Sequence, residues 1–406
     1  MNDLPILTLG MILLTASLVA MISRRLRLPY SVGLVAAGIA LGFMPGVVDL
    51  PLSRDLIFTV FLPPLIFQAA LAIEWRHFRL NLPVTILLAF PGVAIAAAVV
   101  AIGMHLLLGW SWIGAGLFGV LIAATDPVSV VAAFKEMKVR PRLALLVESE
   151  SLLNDGAAAV GFGILAAILA GAEATPLSIA WSLFWTVAGG IACGAAVAAL
   201  LLLIAGRTED HLVEITLTTI AAYGSFLLAE DLGMSGVLAT LTAGLIVGNV
   251  GWKGAISANA RSHVLSFWEY AAFLANSIVF ILIGGHEAHQ PFGIFAGTSA
   301  VAVLLVLFGR ALAIYPLCAL LAATRLKVDT SYQHVLVWGG LRGALALALA
   351  LALPENVAER GEIIVVAFAV VAFSIFVQGL TMPWLIRRMG LTAEDAGSAA
   401  RDHGGR

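Results

Sequence analysis

Residues 112–134 read WIGAGLFGVLIAATDPVSVVAAF, and residues 331–353 read SYQHVLVWGGLRGALALALALAL. Each stretch has the length and the apolar composition of a membrane-spanning helix. In the first stretch, Pro127 removes a backbone donor and disfavours helix at the residue before it. In the second stretch, three glycines fall within residues 339–343. The two stretches therefore predict a pair of membrane helices that are each broken near the middle.

The whole chain has the composition of an integral membrane protein. Of its 406 residues, 61% are hydrophobic and only 11% are charged, whereas about 25% charged residues is normal for a soluble domain. A soluble fold could not bury that much apolar surface, but a bilayer removes the need to bury it. Because each span needs roughly 20 apolar residues, the chain has room for about a dozen spans with short loops.

Charge clusters and glycine or proline turns divide the chain into thirteen predicted transmembrane helices. They are residues 4–22, 30–46, 54–73, 82–108, 112–134, 142–170, 177–205, 211–230, 233–250, 264–285, 293–322, 331–353 and 361–386. Residues 1–386 are predicted to form one all-α transmembrane domain, and residues 387–406 a short disordered cytoplasmic tail.

The two interrupted helices occupy matching places in this division. If the seventh span is a linker, spans 1–6 and 8–13 form two halves, and each half has its broken helix in fifth position. This pattern predicts two inverted-topology repeats whose broken helices cross at the midplane, which is typical of a transporter with a central site.

The positions of lysine and arginine support an odd number of spans. One set of alternate loops holds 18 of the 22 basic residues: Arg24, Arg25, Arg27, Arg76, Arg79, Lys135, Lys138, Arg140, Arg142, Arg207, Lys253, Arg261, Arg325, Lys327, Arg387, Arg388, Arg401 and Arg406. The opposite loops hold only Arg54 and Arg360. Because lysine and arginine concentrate in cytoplasmic loops, the N-terminus is predicted outside a cell inner membrane and the C-terminus in the cytoplasm.

Ionisable residues inside the predicted spans are candidates for function, because each costs at least about 2.5–3.5 kcal/mol to insert. They are Asp126 on the broken fifth span, Glu148, Glu150 and Asp155 on the sixth, Arg310 on the eleventh and Arg342 on the broken twelfth. On the sixth span, Glu150, Ser151, Asn154 and Asp155 fall within an arc of about 140° on one helical face. A polar face on an apolar helix must look into the helix bundle or into water.

The oxygen atoms of this group suit a hard cation. They come from carboxylates, a hydroxyl, an amide and the backbone carbonyls that the break frees near Thr125. No histidine or cysteine joins the group, which argues against zinc or copper. Asp155 lies about a dozen residues beyond Arg142, the last basic residue of the preceding loop, and is therefore predicted near the midplane.

Structural interpretations of the same residues stay open. Glu148 lies nearest the cytoplasmic loop and could serve only solvation. Glu150 and Arg310 could form an ion pair that holds helices together. Asp126, next to Pro127, could cap a helix in a re-entrant turn.

At four motifs the chain resembles cation:proton antiporters of the NhaP-like type, the bacterial and archaeal relatives of animal sodium/proton exchangers. The motifs are ATDPV (124–128), ESLLNDG (150–156), GRALAIYPL (309–317) and WGGLRGALALALAL (338–351). The likeness covers nearly the whole chain in motif order and helix position. It implies a homodimer in a lipid bilayer that transports a monovalent cation and protons, needs no cofactor and binds no nucleic acid.

The resemblance also implies roles for individual residues. Asp155 is the carrier carboxylate, which binds either the cation or a proton. Asn154 marks the Asn-Asp pair of the electroneutral branch of the family. The remaining expected roles are Na⁺ ligands or their hydrogen bonds at Thr125, Asp126 and Ser151, a charge pair between Glu150 and Arg310, neutralisation of the broken-helix crossing at Arg342 and an access funnel at Glu148.

The sequence therefore predicts electroneutral exchange of Na⁺ or Li⁺ for H⁺ by alternating access at one carboxylate site. The same machine could instead exchange K⁺, because cavity size separates these ions and sequence does not show it. An intramembrane aspartyl protease is a remote alternative, since Asp126 and Asp155 lie on consecutive spans. Glu150, Arg310 and the absence of a Gly-x-Gly-Asp sequence argue against it. A passive channel is disfavoured because the carboxylates do not form repeated rings.

Overall fold

A computed structural model describes residues 4–26, 29–44, 53, 55–172 and 175–392. Within these ranges the chain is helical and contains no strand. The helices are α1 Leu4–Leu26, α2 Tyr30–Gly42, α3 Leu62–Ala72, α4 Trp75–Leu108, α5 Trp112–Leu121, α6 Val128–Met137, α7 Pro141–Leu169, α8 Pro176–Ala205, α9 His211–Asp231, α10 Gly236–Asn249, α11 Ala258–Glu287, α12 Ala296–Leu320, α13 Thr330–Trp338, α14 Ala344–Leu351, α15 Arg360–Phe373 and α16 Leu380–Arg388. A π-helical turn, Leu56–Phe61, leads into α3, and another, Ser374–Gly379, joins α15 to α16.

Seven helical segments in the described part of the chain are long and apolar enough to cross a membrane. They are Trp75–Leu108, Pro141–Leu169, Leu177–Ala205, His211–Asp231, Ala258–Glu287, Ala296–Leu320 and Arg360–Arg388. The other predicted spans correspond to shorter helices or to pairs of helices. The membrane-type, all-helical character is thus confirmed, whereas the count of thirteen crossings stays a prediction. Residues 393–406 of the predicted tail, together with Arg27 and Arg54, lie outside the described residues.

Both predicted interruptions are present in the fold. The first apolar stretch forms α5 and α6, with residues 122–127 outside regular helix between them. The second forms α13 and α14, with residues 339–343 between them. Proline and clustered glycine therefore act as their backbone chemistry predicts, and each leaves peptide groups in mid-bundle that need partners from elsewhere.

The helices pack in two groups that meet around the broken segments. In one group, α4 packs against α5, α7 and α12; in the other, α10 packs against α3, α8 and α9, and α11 packs against α2. Small residues allow the closest approaches. A Cβ atom on Gly38 would lie 2.2 Å from the carbonyl oxygen of Ile281, so α2 and α11 touch backbone to backbone. Such contacts are typical of helices packed in lipid.

Candidate ion-binding site

The polar face of α7 packs against the break between α5 and α6. The amide N–H of Thr125 donates to Asn154 Oδ1 at 3.1 Å, and Asn154 Nδ2 donates to Thr125 Oγ1 at 2.6 Å. Ser151 Oγ donates to the carbonyl oxygen of Thr125. Both peptide groups that the break frees at Thr125 are therefore bonded by side chains of α7, which satisfies the requirement that buried backbone groups be paired.

A buried ion pair lies directly behind this contact. Arg310 Nη1 and Nη2 donate to Glu150 Oε1 and Oε2 at 2.8 and 2.9 Å, a bidentate geometry that is the strong form of such a pair. Glu150 is only 2% exposed and Arg310 only 5%. Arg310 Nη2 also donates to the carbonyl oxygen of Leu336 at 3.1 Å, in the last turn of α13. One guanidinium group on α12 thus links α7 to the second broken helix.

The two broken segments cross at Asp126. Its amide N–H donates to the carbonyl oxygen of Leu341 at 2.8 Å, so each break supplies a partner to the other. Gly343 lies against the carboxylate, since a Cβ atom there would be 2.2 Å from Asp126 Oδ2. The other carboxylate oxygen, Oδ1, accepts from the amide N–H of Val128 at 2.9 Å, at the start of α6. Asp126 therefore bonds the first amide of α6, where Pro127 is the N-cap, and also lies at the crossing.

The second break is stabilised by residues of its own and of the last helical run. Arg342, which is 2% exposed, donates from Nη1 to the carbonyl oxygen of Gly340 at 2.7 Å. The amide N–H of Arg342 donates to Ser374 Oγ at 3.0 Å, and Gln378 Nε2 donates to the carbonyl oxygen of Trp338 at 2.9 Å. Ser374 and Gln378 lie on the π-helical turn, a distortion that is frequent at functional sites.

Sequence reasoning missed Ser374 and Gln378. The signal was present, since both are isolated polar residues in the apolar sequence VVAFSIFVQGL. A polar side chain in lipid needs a partner, and here the partner is the unpaired backbone of the second break.

A cavity of about 350 Å³ opens at the crossing, and it separates the predicted site residues into two sets. Asp155, Asp126 and Thr125 line it, together with the backbone from Gly343 onward and Glu148 nearer the mouth. Ser151, Asn154, Glu150, Arg310 and Arg342 do not line it; they lie behind its wall. The structure therefore brings a carboxylate pair and a threonine to the cavity, and it uses the remaining polar residues as support.

Asp155 differs from its neighbours in having an oxygen without a protein partner. Among the described residues, Asp155 Oδ1 is buried and accepts no hydrogen bond from the protein. A buried, unpaired carboxylate oxygen is unfavourable by roughly 1–3 kcal/mol, and more if charged, unless something binds it. Carboxylate and hydroxyl oxygens beside it favour a hard cation or a proton as that partner.

The mouth of the cavity carries charges of both signs. Glu148, on α7, is half-buried, and Lys135, on α6, is exposed. Glu148 also lines an adjoining space of about 710 Å³, which reaches Arg142 and Arg325. A route from Asp155 thus passes Glu148 toward the side where basic residues concentrate.

Comparison with known proteins identifies the family of the chain. Residues 12–388 match a family model described as sodium/hydrogen exchanger, transmembrane. The chain belongs to the sodium/hydrogen exchanger family. The family resemblance predicted from the four motifs is therefore confirmed, and since its members are transporters, the protease alternative is removed.

Curated relatives within this exchanger family are similar over most of the chain. The Na(+)/H(+) antiporter ApNhaP of Aphanothece halophytica is 39% identical over 91% of this chain and 71% of its own length. The Na(+)/H(+) antiporter NhaP of Pseudomonas aeruginosa is 36% identical over 82% of this chain and 81% of its own. NhaH of Halobacillus dabanensis, also a Na(+)/H(+) antiporter, is 30% identical over 96% of this chain and 99% of its own.

A solved exchanger structure has the same fold. The sodium proton antiporter MjNhaP1 of Methanocaldococcus jannaschii, at pH 8, superposes with a TM-score of 0.79 over 94% of this chain and 97% of that one. The identity is 19%, so the agreement concerns the arrangement of helices.

Proposed function

We propose that this chain is a sodium/proton antiporter that exchanges Na⁺ or Li⁺ for H⁺ at Asp155. Asp155 lines the cavity and its buried Oδ1 has no protein partner among the described residues; this observation carries the proposal, because that oxygen needs a cation or a proton as its partner. Sodium as the cargo is supported by the names of the curated relatives, all sodium/proton antiporters.

The mechanism is competition for one carboxylate. In one orientation the cavity delivers a cation to Asp155, with oxygen ligands from Asp126 and Thr125, and the departing proton leaves by the same route. Reorientation of the site toward the other face then reverses the exchange. A cation and a proton cannot share the oxygen, so each displaces the other.

Electroneutral exchange follows from the surrounding charges. The carboxylate of Glu150 is bonded on both oxygens by Arg310, so it is not available to a second ion. Position 154 is an asparagine whose amide is fully used by Thr125 and Glu150. Asp126 keeps one oxygen on the amide N–H of Val128 and acts as a fixed ligand in this scheme. Asp155 is then the one carboxylate that changes its partner, so one Na⁺ exchanges for one H⁺ with no net charge moved, and transport should not respond to an imposed membrane potential.

The proposal extends to architecture. It includes thirteen spans in two inverted repeats, supported by the matching places of the two broken helices, and an external N-terminus in the cell inner membrane, supported by the distribution of basic residues. A homodimer is proposed from the family resemblance alone. Residues behind the cavity wall, including Ser151, Asn154 and Arg342, hold the site's geometry in this scheme. Glu148 belongs to the access funnel.

The test uses purified protein in liposomes with an imposed pH gradient and an internal pH dye. Addition of Na⁺ or Li⁺ should collapse the gradient, and Asp155→Asn should abolish the collapse. Asp231→Asn is the matched control, because Asp231 is exposed at the end of α9 and does not line the cavity. Collapse with K⁺ to the same extent would widen the cargo, and no response to any cation from folded protein would refute antiport.

A further inference from the structure

A long groove runs between the two groups of helices. Its volume is about 1270 Å³, and α4, α8 and α10 supply its walls, with Leu153 of α7 at its base. The wall is apolar along most of its length. The residues that give it this character are Leu82, Ile86, Phe90, Leu183, Phe184 and Leu241. None of the residues that line the ion cavity lines this groove.

One end of the groove is basic. Arg76 and Arg79, in the first turns of α4, and Lys253, just beyond α10, line that end, and all three are exposed. Among the described residues, none of the three has a carboxylate within 4.0 Å. Glu74 also lies at this end, but its carboxylate is 3.0 Å from His77 Nδ1. Three cationic side chains therefore lie without a carboxylate partner at the end of an apolar groove.

The groove has the dimensions of one bilayer leaflet. From Trp75 to Phe90, α4 rises about 22 Å at 1.5 Å per residue, and one leaflet with its headgroup layer is about 20–22 Å thick. Trp75 lies beside the basic end, 47% exposed, as is typical of a side chain at the membrane interface. Ile86 and Phe184 are 44% and 60% exposed, so the groove opens on the lipid-facing surface.

We propose that the groove between α4, α8 and α10 binds an anionic phospholipid, with an acyl chain along its apolar wall and the phosphate group against Arg76, Arg79 and Lys253. Charge complementarity selects this occupant over a purely apolar one, because lysine and arginine at a membrane surface each favour anionic lipid by about 1 kcal/mol. The helices α4 and α7 belong to the group that holds the ion site, and α8 and α10 belong to the other group. The bound lipid therefore bridges the two groups.

The test measures binding and needs no ion gradient, so its outcome is independent of antiport. Delipidated protein in detergent is titrated with phosphatidylglycerol or with phosphatidylcholine of the same acyl chains, and bound lipid is counted by native mass spectrometry. We expect phosphatidylglycerol to bind at least about tenfold more tightly than phosphatidylcholine.

Two sets of variants locate the site. Arg76→Ala/Arg79→Ala/Lys253→Ala should weaken phosphatidylglycerol binding by about tenfold or more. The matched control, Arg140→Ala/Arg207→Ala/Lys327→Ala, removes two arginines and one lysine that are exposed outside the groove and should bind as the unmodified protein does. Ala188→Phe, which fills the apolar wall without changing charge, should also displace the lipid.

Equal loss of binding in both triple variants, or equal binding of the two lipids, would overturn the proposal. So would a shift from dimer to monomer in the first triple variant with no lipid adduct in the unmodified protein, because a second copy of the chain would then cover the groove. Thermal unfolding of each delipidated variant establishes that a lost adduct reflects the groove and not a misfolded chain.

Discussion

Asp155 and Glu150 lie five residues apart on α7, yet the structure gives them opposite surroundings. Arg310 bonds both oxygens of Glu150, which lies behind the cavity wall. Asp155 lines the cavity, and its Oδ1 has no protein partner. Burial alone therefore does not mark a functional carboxylate in this protein. The difference lies in whether the protein itself has already supplied the counter-charge.

The comparison predicts that substitutions at the two carboxylate sites have different effects on stability. Arg310→Ala leaves the Glu150 carboxylate buried without its partner, which should lower the free energy of unfolding by about 3–5 kcal/mol. Asp155→Asn removes no protein contact at Oδ1 and should leave stability unchanged or raise it. Thermal unfolding of both variants in one detergent measures the contrast.

A double variant separates the charge from the packing. Glu150→Leu with Arg310→Met replaces both partners by apolar groups, and such replacements are often neutral or stabilising. We expect this variant to recover most of the stability that Arg310→Ala loses. If it unfolds as early as Arg310→Ala, then hydrogen bonds such as that to Leu336, and not the unpaired charge, hold this region together.

Gly343→Ala tests whether the observed position of Asp126 in the cavity matters for transport. A Cβ atom would lie 2.2 Å from Asp126 Oδ2, so the carboxylate must move away from the crossing. Overpacking of this kind typically lowers the free energy of unfolding by about 1–3 kcal/mol. The rate of transport should also fall, because the displaced Asp126 no longer serves as a cation ligand. Gly361→Ala is the control, because its Cβ meets nothing within 4 Å. Normal transport in Gly343→Ala would show that Asp126 is not needed in its observed position.

The sequence predicts which residues form this site better than it predicts which of them line the cavity and which support it. Pro127 and the glycines at residues 339–343 locate both breaks, because proline and glycine act through the local backbone. The free-energy cost of placing an ionisable side chain in a membrane identifies the buried charges as candidates. Neither rule says which side chains face the cavity, since a polar face on α7 contacts both the cavity and the broken backbone.

Ser151 and Asn154 show what a local sequence pattern cannot predict. As oxygen-bearing neighbours of Asp155 they have the composition of ion ligands, but the structure turns them toward the peptide groups of Thr125. Ser374 shows the converse, because its role depends on a backbone group 32 residues away in sequence. Contacts between distant segments decide both cases, and no local pattern contains them.

Two serines on α7 sharpen the distinction between supporting the break and supporting the helix. Ser151→Ala removes the donor to the carbonyl oxygen of Thr125. Ser149→Ala instead removes a hydroxyl that donates to the carbonyl oxygen of Leu145 at 2.5 Å and lies 3.3 Å from Thr85 Oγ1 on α4, away from the break. Each change should lower the free energy of unfolding by about 1 kcal/mol. Only Ser151→Ala should also raise the apparent KM for Na⁺, because Thr125 loses its fixed position. Equal transport in the two variants would show that the break does not depend on Ser151.

Glu148→Gln should have the smallest effect, since Glu148 lies at the mouth and not at the inner end of the cavity. Its charge can raise the local cation concentration but is screened by salt and by Lys135 nearby. We expect the apparent KM for Na⁺ to rise about two- to fivefold at low ionic strength, with the maximal rate and the thermal midpoint unchanged. Glu136→Gln removes the same charge from an exposed position outside the cavity lining and should change nothing. A fall in the maximal rate of Glu148→Gln would instead place Glu148 beside Asp155 as a second carrier group and break the assignment of one exchanging carboxylate.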